Sequence, residues 1–162
     1  MLTGAENTRE LQAIDCDAVD NLLRLAFAGP EEADLVRALR NNGDIETEIV
    51  LTLEGRVIGY YALPHMVSPK KWLCLAPVAI HPNWQRKGHG QLMISKLCDW
   101  ARNAARNIVV LGQVAFYEKA GFSPSRAARL TSPYPIKHTM LAGPGKDAPI
   151  ATLVYPQAFA GL

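Results

Sequence analysis

The residues best suited to chemistry lie in one short loop, Gln85-Arg86-Lys87-Gly88-His89-Gly90. The loop follows an apolar run and precedes a helical pattern. The first turn of a helix leaves backbone N–H groups unpaired and carries the positive end of the helix dipole. Gly88 and Gly90 have no Cβ and would let an anion approach closely, while Arg86 and Lys87 add positive charge. The pattern predicts a site for a polyanion.

Glycines before a helix also occur in plain turns, and from the loop alone this alternative stays open. The spacing disfavours the usual nucleotide motifs, because the loop lacks both the Gly-x-Gly-x-x-Gly order and the Gly-Lys-Ser/Thr ending. Another phosphate-bearing ligand is therefore expected. Three further residues are expected to add to the local field: Lys70, Lys71 and His89.

The elements ahead of the loop are predicted from hydrophobic spacing and turn signals. They are a helix from Asp15 or Asp17 through Ala26, a helix from Pro30 to about Leu39, and strands over Ile49–Leu53 and Val57–Leu63. The connection Glu54-Gly55-Arg56 joins the two strands, which are expected to form an antiparallel hairpin.

The elements that must position the loop are a buried strand before it and an amphipathic helix after it. Four are predicted: a central strand over Trp72–Ile80, a helix over Gly90–Arg106, a strand over Ile108–Leu111 and a helix over Val114–Ala120. The strand over Ile108–Leu111 follows a helical crossover and is therefore expected to run parallel to the central strand. The helix stripe is formed by Met93, Leu97, Trp100 and Ala104.

The end of the chain is rich in Pro, Gly, Ser and Thr from Ser123 to Pro149, and Ile150–Tyr155 resembles a last strand. Long loops often form the walls of binding sites. The substrate that meets the phosphate-bearing ligand is therefore expected to enter from the side of the segment 123–149.

Three blocks of the sequence resemble the GNAT acetyltransferases: Val78-Ala79-Ile80-His81-Pro82, Gln85-x-x-Gly88-x-Gly90 and Phe116-Tyr117-x-x-Ala120-Gly121-Phe122. The first two are similar to the cofactor-binding motif of that superfamily, and the third to its FYxxxGF motif. The likeness runs from about Val19 to Phe122, and Tyr134-Pro135 is similar to the ending of the YhbS-like branch. It implies an α/β (α+β) fold with a mixed, mostly antiparallel sheet, splayed central strands and flanking helices.

The resemblance implies acetyl-CoA as co-substrate, held where the central strand and the next splay apart. Backbone N–H groups of Val78 and Ile80 would pair with the acetyl carbonyl and the pantetheine arm, and those of the loop with the pyrophosphate. Residues two apart in a strand point to one edge, and Pro77, without an N–H, suits either an interrupted ladder or an ordinary bulge. The predicted cofactor-binding residues are Val78, Ala79, Ile80, Gln85, Arg86, Lys87, Gly88, His89, Gly90 and Gln91.

Two catalytic residues follow from the resemblance. Attack of an amine on a thioester builds negative charge on the carbonyl oxygen, which the fixed N–H of Val78 would stabilise. The leaving thiolate needs a proton, and the family's tyrosine donor corresponds here to Tyr117. Tyr117 packed in the core with its hydroxyl at the surface is the alternative reading.

The general base is not identified by the sequence. Some branches of the family use a carboxylate on the central strand, where this chain has Cys74. A water chain or an already neutral amine would also serve. The histidine candidates, each of which could equally be structural, are His65, His81, His89 and His138.

Composition sets the outer limits. The 162 residues, 49% apolar and 20% charged, predict one globular domain over 1–162. A net charge of +2 predicts no nucleic-acid partner, and the apolar runs are too short to predict a membrane span. Three scattered cysteines predict neither disulfide nor metal site, so we expect a reducing, cytoplasmic location.

The sequence therefore favours an N-acetyltransferase that acts by direct attack of a primary amine of a small molecule, peptide or protein. A non-catalytic acyl-CoA-binding module is the alternative, favoured by the missing carboxylate and disfavoured by Tyr117. A structural domain with a vestigial loop is a third reading. A homodimer is left open.

Overall fold

The computed structural model describes residues 6–161, and residues 1–5 and Leu162 of the predicted domain lie outside that range. Four α-helices are described: α1 Cys16–Phe27, α2 Glu31–Asn41, α3 His89–Asn103 and α4 Val114–Ala120. The strands are β1 Glu6–Glu10, β2 Ile45–Leu53, β3 Arg56–Pro64, β4 Leu73–Cys74, β5 Val78–Ile80, β6 Ile108–Leu111, β7 Leu130–Thr131, β8 Thr139–Ala142 and β9 Ala151–Thr152. The mixed, mostly antiparallel fold that the sequence predicts is confirmed.

The first half of the chain builds a four-stranded antiparallel sheet in the order β1-β2-β3-β5. The predicted hairpin is correct, with Glu54 and Gly55 at positive φ in its turn. Strand β1 has no counterpart in the sequence prediction. It pairs with β2 through Thr8 opposite Leu51 and becomes one edge of the sheet.

The continuous central strand predicted over Trp72–Ile80 is wrong. The chain instead forms two short strands in different sheets, separated by Leu75, Ala76 and Pro77. Strand β4 pairs in parallel with β6, as predicted for Ile108–Leu111, whereas β5 pairs antiparallel with β3. A proline cannot donate to a ladder, so the pairing changes partner where Pro77 stands.

Helix α3 covers the gap between the two sheets. It ends at Asn103, three residues before the predicted end, and its buried face is formed by Met93, Ile94, Leu97, Cys98 and Ala101. Trp100 was predicted for this face but is 40% exposed. The true stripe is wider than the predicted one because two sheets, rather than one strand, lie beneath the helix.

Helix α2 is fastened to the first sheet by a buried polar group. The Arg40 guanidinium donates to both carboxylate oxygens of Glu48, and the Tyr60 hydroxyl donates to Glu48 at 2.6 Å. The guanidinium, the carboxylate and the hydroxyl are thus all hydrogen-bonded, which avoids the cost of a buried unsatisfied group. The last turn of α2 is thus held in place against β2 and β3.

The C-terminal part is more ordered than the predicted loop over 123–149. Strand β8 is buried at all four positions and pairs with β6 from Thr139–Leu111 to Ala142–Ile108. The predicted last strand shortens to β9, which pairs in parallel with β7. The segment is therefore part of the core, and its removal would be expected to unfold the second sheet.

Candidate active site

The strand β5 offers an open edge where the two sheets part. The N–H of His81 donates to Ile58 O at 2.7 Å and that of Ala62 to Pro77 O at 3.3 Å. Because antiparallel pairing alternates, these bonds place the N–H groups of Val78 and Ile80 on the edge away from β3. Strand β6 pairs with the segment before β5 only as far as Leu75, whose N–H donates to Val109 O at 2.9 Å. Beyond Leu75 the edge of β5 is therefore not covered by β6. The predicted splay is present in the structure.

The loop after β5 is tied to the same edge by Gln85, whose side-chain amide donates to Ile80 O at 2.9 Å. Gly88 caps helix α3 at φ +89°, in the left-handed region that glycine favours, and a Cβ there would meet nothing within 4 Å. The first intrahelical bond runs from Leu92 N to Gly88 O at 3.1 Å. The N–H groups of Gly90 and Gln91 precede it and have no acceptor within the helix.

The second glycine of the loop has a different role from the predicted one. A Cβ on Gly90 would lie 3.3 Å from Phe116 Cζ and 3.5 Å from Ile80 Cγ1. Gly90 thus allows close packing of α3 on α4 and β5. The open approach expected above both glycines is found at Gly88 alone.

The charges predicted around the loop are placed unequally. Arg86 and Lys87 are exposed on the loop. Lys71 lies at the opposite end of α3, where its carbonyl accepts from Arg106 Nε at 3.1 Å. A helix of 15 residues is about 22 Å long. The expectation that Lys70 and Lys71 add to the field of the loop is therefore wrong.

A cavity of about 630 Å3 lies between the loop, β5 and α4, and we call it the loop-side cavity. Of the residues predicted to bind cofactor, it is lined by Val78, Ile80, Gln85, Arg86, Gly88, Gly90 and Gln91. Ala79 is buried against helix α1 on the other face of β5, and His89 is buried in the first turn of α3. Those two and Lys87 lie outside the lining.

Tyr117 stands at the end of the loop-side cavity. Its ring makes edge contacts with Phe116 and Phe122, with centroids 4.9 and 5.8 Å apart. Burial raises the pKa of Tyr117 to about 12, so the hydroxyl carries its proton at neutral pH. Gly112 touches the ring so closely that a Cβ there would lie 2.6 Å from Tyr117 Cε2. Nothing in the local sequence marks this glycine, because its importance depends on a contact between the end of β6 and α4.

A second cavity, of about 430 Å3, opens on the other side of Val78 and Tyr117. We call it the aromatic cavity because five rings line it: Phe27, Tyr117, Tyr134, Tyr155 and Phe159. Glu32 and Cys74 also contribute to its wall. The two cavities share Val78 and Tyr117, so the predicted catalytic pair lies at their junction.

The aromatic cavity is the part of the site that the sequence did not reveal. Of its rings, Tyr134 alone comes from the segment 123–149 that was expected to form the acceptor wall. The Tyr155 hydroxyl is buried and has no hydrogen-bond partner among residues 6–161. Burial is the main cause of its raised pKa, and nearby Ser132 opposes the rise without forming a bond of ordinary geometry.

The candidate bases are separated from this junction. Among the described residues lining the two cavities there is no histidine. His65 faces Glu46 at 3.4 Å, His81 Nδ1 accepts from Asn83 N at 3.1 Å, and His138 is exposed. Cys74 lines the aromatic cavity, but burial raises its pKa well above the usual range and keeps the thiol neutral.

Comparisons with known proteins agree with this geometry. The profile of a family described as "Acetyltransferase (GNAT) family" matches residues 16–122. The chain is 35% identical over 114 residues to the uncharacterized N-acetyltransferase YhbS of Escherichia coli K12, a match that spans 67% of this chain and 68% of that protein. None of the helices within residues 6–161 is long and apolar enough to cross a membrane.

Two solved structures share the fold. The crystal structure of Escherichia coli YhbS in complex with CoA aligns with TM-score 0.86 and 26% identity, covering 96% of this chain and 92% of that one. A GNAT family acetyltransferase from Brucella melitensis in complex with acetyl-CoA aligns with TM-score 0.78 and 24% identity, covering 95% and 97%.

Proposed function

This chain belongs to the GNAT acetyltransferase family, and from that premise we propose that it transfers an acetyl group to a primary amine by direct attack. The chain is an acetyltransferase with acetyl-CoA as co-substrate. The amine acceptor and the roles of single residues are the proposed parts. The observation that supports them is the junction of two cavities at Val78 and Tyr117.

The loop-side cavity fits the co-substrate. The open space at Gly88 leaves room for a phosphate, and the unpaired N–H groups of Gly90 and Gln91 suit an anion. Arg86 and Lys87 supply mobile positive charge beside them. The N–H groups of Val78 and Ile80 on the open edge would then pair with the amide groups of the pantetheine arm, in the same way that a strand edge pairs with an added strand.

Acetyl-CoA supplies an activated acetyl thioester when it is bound. In the proposed reaction the amine nitrogen forms a bond to the acetyl carbon, the carbon–sulfur bond breaks, and the amine loses one proton to solvent. The Val78 N–H donates a hydrogen bond to the carbonyl oxygen as negative charge grows there. The Tyr117 hydroxyl gives its proton to the leaving sulfur and regains one from solvent.

The aromatic cavity is the proposed place for the amine. It meets the loop-side cavity at the residues proposed to act on the thioester, so acceptor and co-substrate can be bound together. This arrangement favours an enzyme over a non-catalytic acyl-CoA-binding module, which needs one cavity alone. The cytoplasmic location and a homodimer stay predictions.

The proposal is tested by measuring CoA release from acetyl-CoA with a panel of primary amines and the matching alcohols. We expect release that depends on an amine and an N-acetyl product of the same amount. In parallel, coenzyme A should raise the unfolding temperature of the protein. Such a rise without amine-dependent release over a broad panel would favour the binding module instead.

A further inference from the structure

The walls of the aromatic cavity carry a particular combination of charge and rings. Of the described lining residues, Glu32 is the one acidic residue, and there is no Lys or Arg. Glu32 is half-buried in the first turn of α2, whereas its neighbour Glu31 is exposed. A cavity with one carboxylate and no cation attracts a cationic group and disfavours an anionic one.

The rings add to this preference. Tyr134 and Tyr155 meet edge to face with centroids 5.0 Å apart, and Tyr155 and Phe159 do so at 5.5 Å. The faces of such rings attract organic ammonium groups, and their area stabilises an apolar body. The remaining wall is also apolar, with Leu35 and Leu75 among its residues.

The size of the cavity limits what can enter. At about 430 Å3 it falls in the range of sites for small ligands, which bury most of the surface of the molecule they hold. Its walls come from α1, α2, the β4–β5 connection, β6 and the C-terminal residues. Those walls enclose a compact molecule better than an extended peptide strand, which normally needs a sheet edge or an open groove.

We propose that the acceptor is a small organic amine with an aromatic or aliphatic body and without a carboxylate or phosphate, and that Glu32 selects it. This inference rests on the proposed function, because it names the class of amine for the same site. Glu32 would hold the ammonium group of the incoming substrate through a charge-assisted hydrogen bond, and that group would release one proton to solvent before its neutral nitrogen attacks the thioester. The rings at Tyr134, Tyr155 and Phe159 would hold the body.

The test uses two amines that differ by one carboxylate, phenethylamine and phenylalanine. With the 162-residue chain and saturating acetyl-CoA, phenethylamine should be acetylated with a kcat/KM at least tenfold above that of phenylalanine. A peptide with a central lysine should also be the poorer substrate. Equal or better use of phenylalanine or of the peptide would overturn the proposed class.

The Glu32→Gln variant tests the selecting residue. We expect KM for phenethylamine to rise about ten- to a hundredfold with a smaller change in kcat. The variant removes the negative charge that strengthens the hydrogen bond but keeps the size and shape of the side chain. The ratio of kcat/KM for phenethylamine to kcat/KM for phenylalanine should also fall in this variant. Glu32→Asp, which keeps the charge, should recover part of the loss.

The matched control is Glu31→Gln, which removes the same charge from the same helix turn outside the cavity. It should leave KM for phenethylamine within about twofold. An equal effect of both variants would mean that Glu32 acts through the helix dipole, and the proposal would fail.

Binding provides a readout apart from turnover. Phenethylamine added to the CoA-bound protein should raise its unfolding temperature, and Glu32→Gln should reduce that rise. Amine acetylation without any effect of Glu32→Gln would refute this inference and leave the proposed function standing. Absence of acetylation for every amine would refute the proposed function itself.

Discussion

The two cavities that meet at Val78 and Tyr117 are built from different parts of the chain. The loop-side cavity takes most of its wall from 78–91, where backbone N–H groups and glycines provide its chemistry. The aromatic cavity is floored by the β4–β5 connection and β6, and side chains from α1, α2 and the C-terminal residues complete its wall. A backbone site keeps its shape under most side-chain changes, whereas a side-chain site can be altered one residue at a time. Substitutions should thus change the specificity for the acceptor more easily than the specificity for the co-substrate.

The largest effect should come from Tyr117, which belongs to both cavities. In Tyr117→Phe we expect kcat to fall by about a hundredfold to ten-thousandfold, because a positioned proton donor is removed and the ring is kept. The measurement is kcat with the best amine, beside the affinity for coenzyme A. Affinity should stay near the wild-type value because the rim of the cavity is intact. A near-normal kcat would leave solvent as the proton donor.

Gly90→Val should damage the loop-side cavity more than the aromatic one. The added methyl groups would press on Phe116 and Ile80, and overpacking of this kind costs about 1–3 kcal/mol. We expect coenzyme A affinity, measured by calorimetry, to fall tenfold or more, with a lower unfolding temperature. Wild-type affinity in a folded Gly90→Val protein would contradict the proposed phosphate site.

Gly112→Ala tests the junction from the other side. The new methyl would overlap the Tyr117 ring and push its hydroxyl away from the shared boundary. We expect kcat to fall by about tenfold, in line with a displacement of one catalytic group, while coenzyme A affinity changes little. The control is the double variant with Tyr117→Phe. If Gly112 acts through the Tyr117 hydroxyl, the second change adds little to the effect of the first.

The smallest effect should come from the exposed charges of the loop. Exposed ion pairs contribute about 0–1 kcal/mol, so Arg86→Gln with Lys87→Gln should weaken coenzyme A binding by about three- to tenfold. The affinity of the double variant should also depend less on salt than that of the wild type. Lys96→Gln, on the side of α3 away from this loop, is the control. An unchanged salt dependence would mean that the backbone alone holds the anion.

The same difference between cavities explains what the sequence could predict. The loop could be predicted from its glycines and the helical pattern that follows, whereas the splay and the role of Tyr117 are implied by the resemblance of short contiguous motifs to the GNAT family. Glu32, Tyr155 and Phe159 were missed because their meeting depends on how α2 and the chain end pack on β4. A glutamate in the first turn of a helix is first explained by the dipole, so its local sequence gives no signal of a cavity.

The prediction of one continuous strand over Trp72–Ile80 was wrong for a related reason. An all-apolar run is expected of a strand covered on both faces, and both of its halves are indeed largely buried. Hydrophobicity reports burial and does not report the partner strand. The exchange of partners at Pro77 could therefore be suspected from the proline, but its extent needed the tertiary structure.

The shared boundary at Val78 and Tyr117 has a consequence for the length of the transferred group. An acyl chain extending past that boundary would enter the space of the acceptor. A longer acyl-CoA should then occupy both halves of the site at once and compete with the amine as well as with acetyl-CoA. The position of the junction would therefore limit the length of the acyl group that can be transferred. An octanoyl thioester should be an inhibitor, whereas the acetyl thioester is a substrate.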